Sequence, residues 1–271
     1  MSWADKAIAN PQGYARAVLF PRARDAFKHY LALGHKPKLP ICICPEMACL
    51  MVAGDLEEAK HQFIDIDHTG MAPGTQLYGY RMDHDEVLDL DPLLTGWFRE
   101  PTSTHRLISL GRNKILPLYG GGVFCTNDLS LAEELDKFSF FPGGNEYAEK
   151  VQVVFEHITE VVHARWNQME IWDRYLGDLL DRIPREQSMP WRCMRLAPVP
   201  KRGLIIKALR EAGIAVSLNY PSFGSGTYYP GGMWFEHRVI NFHLGLMGDE
   251  DATEKLAFRA ARIIFDTLAA K

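Results

Sequence analysis

The sequence predicts an α/β protein, and three stretches carry that prediction. Residues 107–128, LISLGRNKILPLYGGGVFCTND, read as a strand, a loop with one lysine, a glycine turn, a second strand, and a helix capped near Asn127 or Asp128. Residues 146–182 carry Phe155, Ile158, Val162, Trp166, Met169, Trp172, Leu176 and Leu179 at three- and four-residue steps, the pattern of one long helix broken once. Residues 187–271 alternate as β-α-β-β-α, which suits a small sheet covered by helices. The expected organisation is a large domain over 1–150, a linking long helix over 151–186 and a small C-terminal α/β domain over 187–271.

In chain order, residues 1–20 read as a loosely attached arm. Pro21 precedes a helix, RARDAFKHYLAL, with Ala26, Phe27, Tyr30 and Leu31 on its buried face and Gly34 at its end. Residues 37–53 read as a buried strand leading into a helix after Pro45, and Phe63, Ile64 and Ile66 form a short strand. Residues 71–106 are irregular, and a loop of that length is usually functional or mobile. Residues 129–137 form a short helix and 138–145 a turn; His157 and His163 lie beside the long helix's apolar stripe, expected partly buried. In the last third, PWRCMRLAPV, IAVSLNYPSF and HRVINFHLGL are the strands. KRGLIIKALREAG, closed by Gly213, and residues 249–270 are the helices.

Composition narrows the function classes. A chain of 271 residues with 47% hydrophobic and 24% charged residues can build a real core. Net charge is -4 and no lysine/arginine run suggests a nucleic-acid footprint. No apolar run reaches the ~18 residues of a membrane span, and MSWADKAIANPQ lacks the pattern of a signal peptide. Five cysteines without a regular framework fit reduced thiols and a cytoplasmic protein.

Lys114 is the candidate reactive group. An amine held between two buried strands loses hydration, which favours its neutral form, and a neutral amine attacks an aldehyde to form a Schiff base. Gly120, Gly121 and Gly122 permit close backbone approach or positive φ. Local pattern alone leaves open a surface hairpin with a solvated lysine.

Ser109-Leu-Gly-Arg-Asn-Lys114, the GGG and Val-Phe-Cys-Thr-Asn-Asp resemble the cofactor-lysine segment of the DegT/DnrJ/EryC1/StrS aminotransferases, in serine-to-lysine spacing and in the Thr-Asn-Asp ending. These are pyridoxal-phosphate (PLP) enzymes of the type I aminotransferase fold. The resemblance covers roughly 105–128 and 187–270, with patches over 20–70, and only the lysine loop is specific to a function. It implies a type I PLP-transferase-like fold, with Lys114 as the Schiff-base lysine and Ser109 as a phosphate ligand. Ala23-Arg24-Asp25-Ala26 stands where some relatives carry Gly-Arg-x-Ala and a helix N-terminus faces the phosphate. The glycine is absent here, and an ordinary surface arginine is the alternative.

The resemblance also points to Ile64-Asp65-Ile66-Asp67-His68. A PLP enzyme needs a carboxylate at the pyridine nitrogen, so that the ring can absorb an electron pair. Asp65 would be that carboxylate and His68, three residues on, would contact the ring hydroxyl. In a rival alignment FIDID is only a structural strand end. A metal site from Asp65, Asp67 and His68 matches no standard spacing.

The relatives carry several more strand–helix units between the first helix and the lysine loop, so the large domain here is a reduced α/β/α layer. Two functions from different classes follow. One is a PLP-dependent aminotransferase that moves an amino group from a donor to a keto group of a nucleotide-linked sugar or related small molecule. The other is a shortened, non-catalytic relative acting as a binding or pairing partner; an unrelated α/β binding protein would make the match accidental. Arg192, Arg195 and Arg238 could each meet a donor carboxylate, and nothing in the sequence ranks them. Aromatic-rich loops (Tyr78, Tyr80, Trp97, Phe98, Tyr228, Tyr229, Trp234) and the family's interfacial sites imply a homodimer.

Overall fold

The computed structural model describes residues 2–33, 88–90, 104–111, 114, 120–139, 144–182, 190, 192–217, 237–245 and 248–270. The expected strands and helix between residues 37 and 66 lie outside these.

The first sheet has the order β1-β4-β3-β2, from Arg16–Phe20 (β1), Leu88–Leu90 (β2), His105–Ser109 (β3) and Gly122–Thr126 (β4). β3 and β4 are the expected hairpin, antiparallel from His105↔Thr126 to Ser109↔Gly122. β4 also pairs antiparallel with β1, and β2 adds to β3 in parallel. Every residue of β4 is buried, which is why it reads as a continuous apolar run rather than an alternation.

β1 corrects the expectation of a loose N-terminal arm. A π-helical turn at Asp5–Ala9 and a 3-10 turn at Asn10–Gln12 precede it. Ile8, Ala9, Tyr14, Val18 and Phe20 are core residues. Polar ties hold the segment down: Arg106 Nη1 donates to Gln12 Oε1 at 2.9 Å, and its guanidinium lies 5.5 Å from the Tyr14 ring centroid. Two charged residues and a proline among the first twelve disguised a segment that buries its few large side chains.

Helix α1 spans Ala23–Ala32, with Ala26, Phe27 and Tyr30 buried and Leu31 only partly so. Burial pushes the Tyr30 phenol up to about 12. Helix α2 (Leu129–Asp136) follows β4, and the Asp128 carboxylate caps it by accepting from the Leu131 N–H at 2.9 Å. The long helix is indeed broken once, at His157, into α3 (Gly144–Glu156) and α4 (Ile158–Leu176). His157 and His163 are exposed, not partly buried as expected.

The second sheet has the order β5-β6-β8-β7, from Asp181–Arg182, Arg192–Leu196, Val216–Ser217 and Val239–His243 (β5 to β8 in chain order), all antiparallel. Helices α5 (Val199–Glu211) and α6 (Glu250–Ala269) cover one face. Gly213, at φ 74°, closes α5 in the left-handed conformation that glycine adopts without strain. Trp172, Leu176, Ile205, Leu209, Phe242 and Ile264 lie in this second core. Each such side chain contributes ~1.5–3 kcal/mol by burial. Met194 and Val239, on the sheet's other face, belong to the first core, so the two cores meet across this sheet.

Candidate functional site

The hairpin end is a close meeting of three backbone segments. Gly120 and Gly121 take φ values of 149° and 105°, which a side chain would resist. Their turn delivers the Gly121 N–H to Pro21 O at 2.7 Å and aligns Gly121 with Arg22 in a parallel bridge. One residue on, a β-carbon on Gly122 would sit 2.3 Å from both Cα and N of Ala23. Gly122 is therefore what lets the start of α1 rest on the start of β4.

Ser109 is the cross-strand partner of Gly122. Partners in an antiparallel pair send their side chains to the same face, so the Ser109 hydroxyl leaves the sheet on the face where α1 begins. Arg22, the residue before α1, is extended and its side chain makes no capping hydrogen bond. A helix start with its N–H dipoles beside a serine hydroxyl is a setting for an anionic group.

Lys114 lies against the same spot. Its N–H donates to Gly111 O at 2.9 Å, closing a tight turn at the end of β3. A β-carbon on Gly111 would be 3.6 Å from Ser109 Oγ and 3.8 Å from Lys114 Cγ, so both side chains flank one side of Gly111. The hairpin thus brings together Ser109 and Lys114 of the expected site. Asp65 and His68 lie outside the described residues. Arg24 sits in the first turn of α1, partly buried.

Phosphate-bearing PLP fits this arrangement. The start of α1, which Gly122 lets rest on β4, and the Ser109 hydroxyl suit an anion, and the Lys114 side chain lies on the same side of Gly111 as Ser109. Sequence reasoning missed the Gly122–Ala23 contact. The GGG run signalled a close approach but not what approaches. Among the described residues, no group of three or more His, Cys, Asp or Glu is arranged to hold a metal ion. Nor is any helix among them long and apolar enough to cross a membrane.

No protein-family profile and no curated protein sequence matches the chain. Solved structures do. The aminotransferase TlmJ from Streptoalloteichus hindustanus superposes with a TM-score of 0.80 at 16% identity, over 99% of this chain and 91% of that one. A Streptococcus pneumoniae protein described as a sugar aminotransferase, in its PLP form, gives 0.78 at 12% identity over 99% and 93%. A DegT DnrJ EryC1 StrS aminotransferase from Brucella abortus gives 0.73 at 14% identity over 98% and 89%. The chain therefore has the α/β fold of the type I PLP-dependent aminotransferases, as the sequence led us to expect.

Proposed function

We propose that this protein is a member of the DegT/DnrJ/EryC1/StrS family and a PLP-dependent aminotransferase, acting on a keto group of a nucleotide-linked sugar or related small molecule. The observation that carries the reading is the convergence of Ser109, the start of α1 and Lys114 around Gly111 and Gly122. Fold likeness to aminotransferases raises its weight but assigns no residue a role.

When bound, PLP supplies an aldehyde that takes up an amine and a ring that accepts an electron pair. Ser109 Oγ and the α1 N-terminus would hold its phosphate. Lys114 Nζ would carry the cofactor at rest and, once released by the amino donor, act as general base and acid on the substrate carbon. Asp65 would face the ring nitrogen and His68 the ring hydroxyl. A homodimer in the cytoplasm is part of this reading, motivated by the aromatic-rich loops; a monomer by light scattering at working concentration counts against it.

The deciding experiment is a PLP titration of the purified chain followed by absorbance. A new band above the protein's own absorbance is expected, and borohydride should fix the cofactor onto Lys114, located by mass spectrometry of the peptides. Absence of the band with excess PLP, or fixation on another lysine, replaces the enzyme reading with that of a non-catalytic relative acting as a pairing partner. Asp65→Ala should weaken PLP binding more than Asp67→Ala; equal tolerance favours FIDID as a strand end.

A further inference from the structure

The start of α1 carries two opposite charges besides its backbone dipoles. Arg22 is the residue before the helix and Asp25 is the third residue of the helix. Arg22 Nε donates to one Asp25 carboxylate oxygen and Arg22 Nη2 to the other, each at 3.1 Å. Guanidinium and carboxylate match in shape as well as charge in such a two-pronged pair. Neither side chain has another hydrogen-bond or ion-pair partner among the described residues.

Side chains on a helix lean toward its N-terminus, so the Asp25 carboxylate reaches back over the first turn, and the fork with Arg22 holds it there. The backbone N–H groups at this end are divided. Those of Asp25 and Ala26 both donate to Arg22 O, at 3.0 and 3.4 Å, whereas the Ala23 N–H has no hydrogen-bond partner among the described residues. Ala23 is also the residue that rests on Gly122, the cross-strand partner of Ser109. Asp25 lies only two residues further, ~3 Å along the helix axis. Its carboxylate and the proposed phosphate position therefore share one end of one helix.

A carboxylate in the first turn complements the positive end of the helix dipole. A phosphate bound at the same end competes for that role, and the carboxylate then repels it. Like charges within one helical turn lie inside the ~8 Å screening length of physiological salt. The Arg22 guanidinium, seated on both carboxylate oxygens, cancels that field at its source. The Arg22 side chain is 71% exposed and that of Asp25 24%, so it is the carboxylate that lies closer to the fold and has to be neutralised.

We propose that Arg22 is a positioning residue of the phosphate site: by holding and neutralising Asp25, it keeps that carboxylate from repelling the phosphate of the cofactor. Arg22 acts through Asp25 and needs no contact with the phosphate itself. The inference rests on the PLP reading of the Ser109–Lys114 hairpin and adds to it a determinant that the hairpin does not contain.

The test is the affinity of the full chain for PLP, read from the absorbance band formed on titration, and for pyridoxal, which has the same aldehyde and no phosphate. Arg22→Gln should weaken PLP binding about threefold to tenfold, the effect of one partly screened charge at this range, and leave pyridoxal binding as in the wild type. Asp25→Asn added to Arg22→Gln should restore PLP affinity, because the charge to be neutralised is gone, and Arg22→Lys should restore part of it. At an ionic strength of about 1 M, where the screening length falls to ~3 Å, the gap between Arg22→Gln and wild type should close. Circular dichroism confirms that each variant keeps the fold, which an exposed position outside both cores favours. Equal PLP affinity in wild type and Arg22→Gln, an equal loss for pyridoxal, or a double variant that stays weak overturns the proposal and leaves the cofactor reading standing. A wild-type chain that takes up no PLP overturns the cofactor reading, and this inference falls with it.

Discussion

Gly122 and Ala23 are so close that no side chain fits between them: a β-carbon on the glycine would lie 2.3 Å from the alanine's Cα and N. The neighbouring atoms are backbone, at the start of α1, and cannot swing aside. This contact ties the hairpin of β3 and β4 to the helix that begins beside Ser109.

Gly122→Ala should therefore push α1 off the strand. Overpacking of this kind costs ~1–3 kcal/mol, and it should also loosen the proposed phosphate cradle. We expect a lower urea midpoint and PLP affinity reduced by tenfold or more. Gly203→Ala, at a helix position with open space around it, is the control: it should leave PLP affinity unchanged and raise the midpoint slightly, since alanine favours a helix interior over glycine by ~1 kcal/mol.

Lys114→Ala should keep the fold, because a loop lysine contributes little to stability. Its PLP absorbance band and borohydride fixation should both vanish, whereas Ser109→Ala should retain the fixation site with weaker cofactor affinity. Circular dichroism beside the absorbance titration checks both statements.

Asp5 gives the N-terminal segment a pH dependence. Burial pushes its carboxyl up, but the Ala17 and Ser2 N–H groups, the Ser2 hydroxyl and the Arg16 guanidinium outweigh that and hold it below the ordinary value. A depressed carboxylate stabilises the fold fully above its unfolded pKa, near 3.9, and the contribution is lost as pH falls through the folded value. Asp5→Asn should cost about 1–3 kcal/mol at neutral pH and flatten the acid limb of the stability curve, read by urea unfolding from pH 7 to 3.

Asp173 faces a fully buried arginine, Arg195, across an ion pair. Removing one partner of such a pair leaves a buried charge and costs ~3–5 kcal/mol. Asp173→Ala should lower the urea midpoint sharply, and Asp173→Ala with Arg195→Met should recover much of the loss. Additive losses in the double variant would show that the pair is not coupled.

The helical breaks and caps were legible because their chemistry is local. Asp128 before an apolar run, Gly213 after one, and the three- and four-residue steps of α3 and α4 each depend on neighbours a turn away. The hairpin was legible for the same reason, since a glycine run between two apolar stretches fixes a reversal. The lysine-to-serine spacing was legible too, and with it the fold.

Tertiary structure alone decided the rest. Arg16–Phe20 is a strand because β4 offers it a ladder from more than a hundred residues away, and no local period announces that. Ala23 meets Gly122, and Arg165 reaches Pro190 and Gly245, only once distant segments are packed. Sequence determines which side chains and backbone freedoms are available within a turn or a strand. Which of them share one face is set by strand register and by burial of the cores, and both are long-range.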